Sequence, residues 1–142
     1  INNTALNPYY DFVTLLIGVN NQFRGQPVED YRRDFEKLLK IALEKTDHRN
    51  DRVIVLSIPD WGLSPFGRDR DRTAVTKDIS RFNSINRAVG IVYQVHYIDI
   101  TTGSPEADPD QTFFAADGLH PSPKAYARWS SLLAETIAKA MD

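Results

Sequence analysis

Two nearly unbroken apolar runs constrain this chain most: Phe12-Val13-Thr14-Leu15-Leu16-Ile17-Gly18-Val19 and Arg52-Val53-Ile54-Val55-Leu56-Ser57-Ile58, the second stopped by Pro59. A strand that alternates apolar and polar residues keeps one face in water, whereas a strand apolar throughout is covered on both faces, as in a parallel sheet between layers of helices. The 12–19 run reads as a central strand although it comes first, so the sequence predicts neighbours on both of its edges. Between the two runs Gly25-Gln26-Pro27 punctuates the chain, and Tyr31, Phe35, Leu38, Leu39 and Ala42 recur at the spacing of an amphipathic helix. Val75, Ile79, Phe82, Val89 and Val92 mark another helix face, with Asn83 and Asn86 beside it as amides for nearby backbone. Residues 95–100 alternate enough for an edge strand, and a last helix carries Ala125, Trp129, Leu132, Leu133 and Thr136 on one face. The order strand, helix, strand, helix, strand, long loop, helix predicts a parallel α/β sheet with right-handed crossovers.

A length of 142 residues bounds this to one domain with a real core. A formal net charge of -2 supplies no basic field for nucleic acid. No apolar run approaches the roughly 20 residues of a transmembrane helix. There is no cysteine, hence no disulfide or thiolate chemistry, and the compartment is left open. The first residues, Ile1-Asn2-Asn3-Thr4, have the character neither of a secretory signal nor of an initiation site, and read as the tail of an earlier element.

Three stretches carry chemistry. Ala116-Asp117-Gly118-Leu119-His120-Pro121-Ser122-Pro123 sets an acid three residues before a histidine and then begins a helix, with Ser122 as cap and Pro123 at the first helical position. An imidazole with a carboxylate at that spacing has the parts of a base whose tautomer and orientation its neighbour fixes; the plainer reading is a polar helix entrance with a solvated histidine. Gly18-Val19-Asn20-Asn21 stands where the first strand ends, on the rim where open parallel sheets bind ligands, and an asparagine amide there can donate to an oxyanion. Taken alone it is also good turn chemistry. The loop after the second strand holds Trp61 and Phe66, which suit either a ligand contact or a satellite cluster, followed by Arg68-Asp69-Arg70-Asp71-Arg72, read as solvated surface.

The pairing of Gly18-x-Asn20 with Asp117-x-x-His120-Pro121 resembles the SGNH, or GDSL-type, serine hydrolases, whose third block reads G-x-N-D and whose fifth reads D-x-x-H. The resemblance runs over nearly the whole chain, from Tyr10-Asp11 at the entry to the first strand through to the last helix, and it makes residues 1–142 the carboxyl-terminal part of one such domain. It implies a flavodoxin-like, three-layer α/β/α fold whose first strand–helix–strand unit, on the order of 40 to 60 residues, is missing here. It implies an esterase or lipase in which His120 is the general base, Asp117 orients it and Asn20 is an oxyanion-hole donor, with Gly18, Trp61 and Phe66 at the substrate. No cofactor and no metal are implied, and the partners are a small-molecule ester and the upstream segment. Asn21 stands where the family motif has Asp, which bears on the turn more than on the donor.

The larger departure is the absence of a Gly-Asp-Ser block. Ser57 falls in a strand, Ser64 in a loop, Ser104 between Gly103 and Pro105, and Ser122 at a helix cap. The expected nucleophile therefore lies upstream. A nucleotide- or flavin-binding α/β protein is the rival enzyme, but it wants a Gly-rich phosphate loop that is not here. A metal site at Asp117 and His120 is weaker, because His48 and His96 have no ligand spacing. The alternative of another class is a binding module that keeps the cleft without a nucleophile.

Overall fold

The computed structural model describes residues 4–101 and 111–141. Three strands, β1 (Val13–Leu15), β2 (Val53–Leu56) and β3 (His96–Ile98), form a parallel sheet in the order β1-β2-β3. Val13 lies opposite Val53, and Ile54 opposite His96. The helices are α1 (Val19–Phe23), α2 (Val28–Lys45), α3 (Arg72–Val92) and α4 (Pro123–Met141).

The middle strand explains the layers. All four residues of β2 are buried, and because side chains alternate along a strand they feed two separate cores. Val53 and Val55 pack with Tyr31, Phe35, Leu39, Ile79, Phe82 and Val89, which come from α2 and α3. Ile54 and Leu56 pack on the other side with Ile98, Phe113, Ala125 and Trp129, so α4 closes the opposite face. Full burial of such a side chain is worth about 1.5–3 kcal/mol over leaving it exposed. The α2 and α3 faces follow the spacing seen in sequence: Tyr31, Phe35, Leu39 and Ala42 are buried on α2, and Ile79, Phe82, Asn86 and Val89 on α3. Asp71 starts α3 by accepting the Ala74 N–H at 3.0 Å, so one member of the charge run is a helix cap while Arg68, Asp69 and Arg70 are exposed.

Two expectations need correction. The 12–19 run is not one continuous strand: only Val13–Leu15 pairs, Val19 already opens α1, and among the described residues β1 has a strand neighbour on one side. Val13 and Leu15 pack against the α2–α3 core, while on the other face Phe12 packs against the α4 core and Thr14 and Leu16 are exposed, Leu16 at 38%. The second strand is likewise shorter than 52–58, since Asn50–Arg52 forms a 3-10 turn and pairing ends at Leu56. The third strand does lie at an edge. The 101–116 loop falls largely outside the described residues, as does Ser104.

Just beyond β2 the Ser57 N–H still donates to the Ile98 carbonyl of β3 at 2.9 Å, and from there side chains hold the chain. Asn83 on α3 accepts the Ile58 N–H at 2.7 Å and donates to the Ile58 carbonyl at 3.0 Å, imitating a neighbouring strand. Buried Ser57 accepts the N–H groups of Ile100 and Thr101 at 2.8 and 3.1 Å, tying the exits of β2 and β3 together. Because the strands are parallel, these exits and the start of α4 share one rim. An Asn83→Ala substitution strands the buried Ile58 N–H and should cost about 1–3 kcal/mol, read as a lower urea midpoint; an unchanged midpoint would contradict this role.

Candidate active site on the carboxyl rim of the sheet

The acid–histidine turn is closed upon itself before it touches anything else. Phe114 and Pro121 form an isolated antiparallel bridge. The Ala115 N–H donates to the His120 carbonyl at 2.8 Å, and the Ser122 N–H to the Phe113 carbonyl at 2.8 Å. Gly118 at the tip has φ +69°, a conformation that L side chains rarely adopt. Within this frame the Asp117 carboxylate collects three donors: the N–H groups of Leu119 and His120, each at 2.9 Å on Oδ1, and His120 Nδ1 at 2.6 Å on Oδ2. The two backbone donors first, and the imidazole after them, hold its carboxyl down to about 2. With Nδ1 engaged, Nε2 is the ring nitrogen left to exchange a proton. Behind the turn Ser122 Oγ donates to the Thr112 carbonyl at 2.6 Å and accepts the Ala125 N–H at 3.4 Å, and Pro123 is the first residue of α4.

Asn20 reaches the same rim from β1. Gly18 caps α1 at φ +117°, and a Cβ there would collide with the Tyr31 hydroxyl and with Ile58 Cδ1. Only glycine therefore lets the chain turn this close over the core, and Asn20 follows in the first turn of the helix, exposed. Beneath it the buried Tyr31 hydroxyl reaches Asn86 Oδ1 at 2.6 Å and the Ile17 carbonyl at 3.2 Å, and burial pushes its pKa well above the ordinary tyrosine range, so it stays a donor.

Asn20 and His120, one hundred positions apart, line one pocket of about 200 Å³ together with Val19, Phe23, Trp61 and Phe114. Trp61 stands in its wall, with the indole N–H donating to Gln22 Oε1 at 2.8 Å and Gln22 Nε2 donating in turn to Asp78 at 3.2 Å. Gly18 and Phe66 occupy different places from the expected substrate contacts. Gly18 is buried beneath the rim, and Phe66 touches the rings of Phe23 and Trp61 at centroid distances of 6.4 and 6.1 Å without lining the pocket. What Phe66 contributes comes from its backbone. Its N–H donates to the Gly118 carbonyl at 2.9 Å, so the 61–66 loop grips the acid–histidine turn.

Sequence reasoning missed Phe23, Phe114 and Gln22. The signal for Phe23 was its position three residues after Asn20, the same face of a short helix, but the helix itself went unread. Among the described residues no serine lines the pocket. Ser57 and Ser64 are buried and committed to hydrogen bonds, Ser64 to the Trp61 carbonyl at 2.5 Å.

The comparisons with known proteins bear on this arrangement. Residues 2–128 match the model of the GDSL-like lipase/acylhydrolase family. Among solved structures, the lipase/acylhydrolase from Enterococcus faecalis is similar, with a TM-score of 0.65 and 23% identity over 89% of this chain and 60% of that one. The chain thus spans about 60% of the length of that protein. No curated protein matches it.

The depressed Asp117 carboxyl sets a pH signature. A carboxyl lowered in the folded state stabilises the turn above the ordinary value near 3.8, and that contribution is lost as pH falls through about 2. Carboxyl-carbon NMR on the protein should show Asp117 titrating near 2 and the amide shifts of Leu119 and His120 moving with it. A midpoint at the ordinary value would mean that the three-donor turn does not persist in solution.

Proposed function

The chain belongs to the GDSL-like lipase/acylhydrolase family, and on that ground we propose that residues 1–142 are the carboxyl-terminal part of a serine hydrolase domain that cleaves carboxylic esters through an acyl-enzyme. The observation that carries this reading is that Asn20 and His120 line one pocket while Asp117 holds His120 Nδ1 at 2.6 Å. In the proposed reaction a serine hydroxyl supplied by an upstream segment attacks the ester carbonyl as His120 Nε2 takes its proton. The amide of Asn20 donates to the oxyanion, and Asp117 keeps the imidazole in the tautomer with its proton on Nδ1 and stabilises the imidazolium. His120 then returns the proton to the departing alcohol, and a water molecule, deprotonated by the same base, releases the acid and restores the serine.

Two further observations support an upstream contribution. No serine among the described residues lines the pocket. The outer edge of β1 also has no hydrogen-bonded neighbour among them, though its sequence is that of a strand between two others.

A fluorophosphonate probe on the whole protein should label one serine, upstream of Ile1 and following a strand that ends in Gly-Asp-Ser. His120→Ala should abolish both labelling and hydrolysis of a p-nitrophenyl ester. Asn20→Ala should lower kcat by about 10²–10³ with a smaller effect on KM. A protein that takes no label and hydrolyses nothing would be the binding module instead, and a wild-type rate in His120→Ala would end the assignment of the base.

A further inference from the structure

Two polar side chains, Tyr31 and Asn86, sit inside the apolar core that α2 and α3 build on the sheet. Tyr31 is 1% exposed and Asn86 0%, and the rings of Phe35 and Phe82 stand beside the Tyr31 ring at centroid distances of 5.9 and 4.6 Å. Stability does not account for the pair. Phenylalanine and leucine would fill the same space without desolvating a hydroxyl and an amide, and exchanging buried polar partners for apolar groups of the same shape is close to neutral or stabilising. The pair is also incomplete, since among the described residues Asn86 Nδ2 is buried with no hydrogen-bond partner. What it does supply is direction.

The hydroxyl is aimed at one peptide. Its single proton is shared between Asn86 Oδ1, 2.6 Å from Oη, and the Ile17 carbonyl, 3.2 Å from it. Asn86 therefore holds the hydroxyl from α3, and the hydroxyl holds the peptide that joins Ile17 to Gly18. That peptide is the corner at which the chain leaves the direction of β1. Gly18 turns there at φ +117° and opens α1 without a side-chain cap, its carbonyl taking the Gln22 N–H at 3.0 Å, and a Cβ on it would collide with Tyr31 Oη. Asn20 follows two residues later, so its amide inherits its direction from this corner. A misplacement of about 1 Å at a reacting group can cost as much as a hundredfold in rate. Resting on the ester-hydrolase reading above, we propose that Tyr31 is a positioning residue for the reaction: its hydroxyl, held by Asn86, fixes the corner at Gly18 and so aims the Asn20 amide at the oxyanion.

Positioning and plain support of the core predict different kinetics. The experiment compares the whole protein with Tyr31→Phe, Tyr31→Phe/Asn86→Leu, Asn20→Ala and Asn20→Ala/Tyr31→Phe on a p-nitrophenyl ester, each rate divided by the fraction of protein that a fluorophosphonate labels at completion. Tyr31→Phe keeps the ring and should lower kcat about tenfold while KM stays within about twofold. It also strands the Asn86 amide, so its urea midpoint should fall. Tyr31→Phe/Asn86→Leu, with neither hydroxyl nor amide left, should recover most of that midpoint and still keep the lowered kcat. Where Tyr31→Phe alone does not fold, this double variant carries the same comparison. In the Asn20→Ala background Tyr31→Phe should change kcat by less than about twofold, because the group it aims is gone. A wild-type kcat in Tyr31→Phe, a kcat that returns together with the midpoint in the double variant, or a loss of the same size repeated in the Asn20→Ala background would each overturn the positioning role and leave the hydrolase standing. Absence of both labelling and hydrolysis in the unsubstituted protein would overturn the hydrolase reading and this one with it.

Discussion

One carboxylate organises the rim. Asp117 takes two backbone N–H groups and one imidazole N–H within a four-residue turn, so the acid that orients His120 is also the cap that shapes the turn. The two roles are not separable, because the backbone donors fix the carboxylate plane before the imidazole meets it. Both side chains are more than half exposed, at 72% for His120 and 52% for Asp117, and a single ion pair in such water would hold little. What holds the geometry is the number of bonds converging on one group.

The turn itself leans on the loop after β2. Pro65 lies against Gly118, where a Cβ would come within 3.2 Å of its ring, and the Phe66 N–H closes onto the Gly118 carbonyl. That loop is folded by its own side chains: Asp60 caps Gly62, Ser64 caps Gly67, and Thr76 of α3 fastens Asp60 from the helix side. The chain therefore runs from a wholly buried strand through a capped loop to a hydrogen bond under the histidine turn. A strand with no freedom thus positions a side chain that is itself solvent-exposed.

The layers, the helix faces and the Asp117–His120 turn were legible in sequence because each rests on local periodicity or local spacing. The buried face of α2 needs only 3.6-residue recurrence, and the Ser122-Pro123 start of α4 needs only capping chemistry. The ends of the strands were not legible. Residues 16–19 are as apolar as those before them, yet the chain leaves the sheet there, since Gly18 at φ +117° breaks the extended conformation. For Phe66 the sequence left a ligand contact and a satellite cluster open, and the structure sets its ring against Phe23 and Trp61. Composition marks an aromatic residue in a rim loop as a ligand contact, but whether the ring or the backbone N–H makes the decisive contact depends on what lies opposite, and Gly118 is 52 positions away. Gln22 gave no signal at all, because its importance comes from Trp61 and Asp78, which reach it from two other elements.

The five residues of α1 show why the pocket and the proposed oxyanion donor form one device. Asn20 and Phe23 are three apart on a helix and so share a face, the one lining the pocket. Gln22, two positions from Asn20, lies off that face, and there it grips Trp61 and Asp78. The helix is too short to be stable alone and makes only one turn of backbone bonds beyond its Gly18 cap. Its orientation comes from outside: from Gly18 seated on the Tyr31 hydroxyl below, and from Gln22 bound to α3 at the side. Any tilt that moved Phe23 would move Asn20 with it. The spacing between the backbone that carries the proposed oxyanion donor and the backbone that carries the Phe23 ring is thereby set by one helix, and it does not depend on two loops finding the same relative position twice.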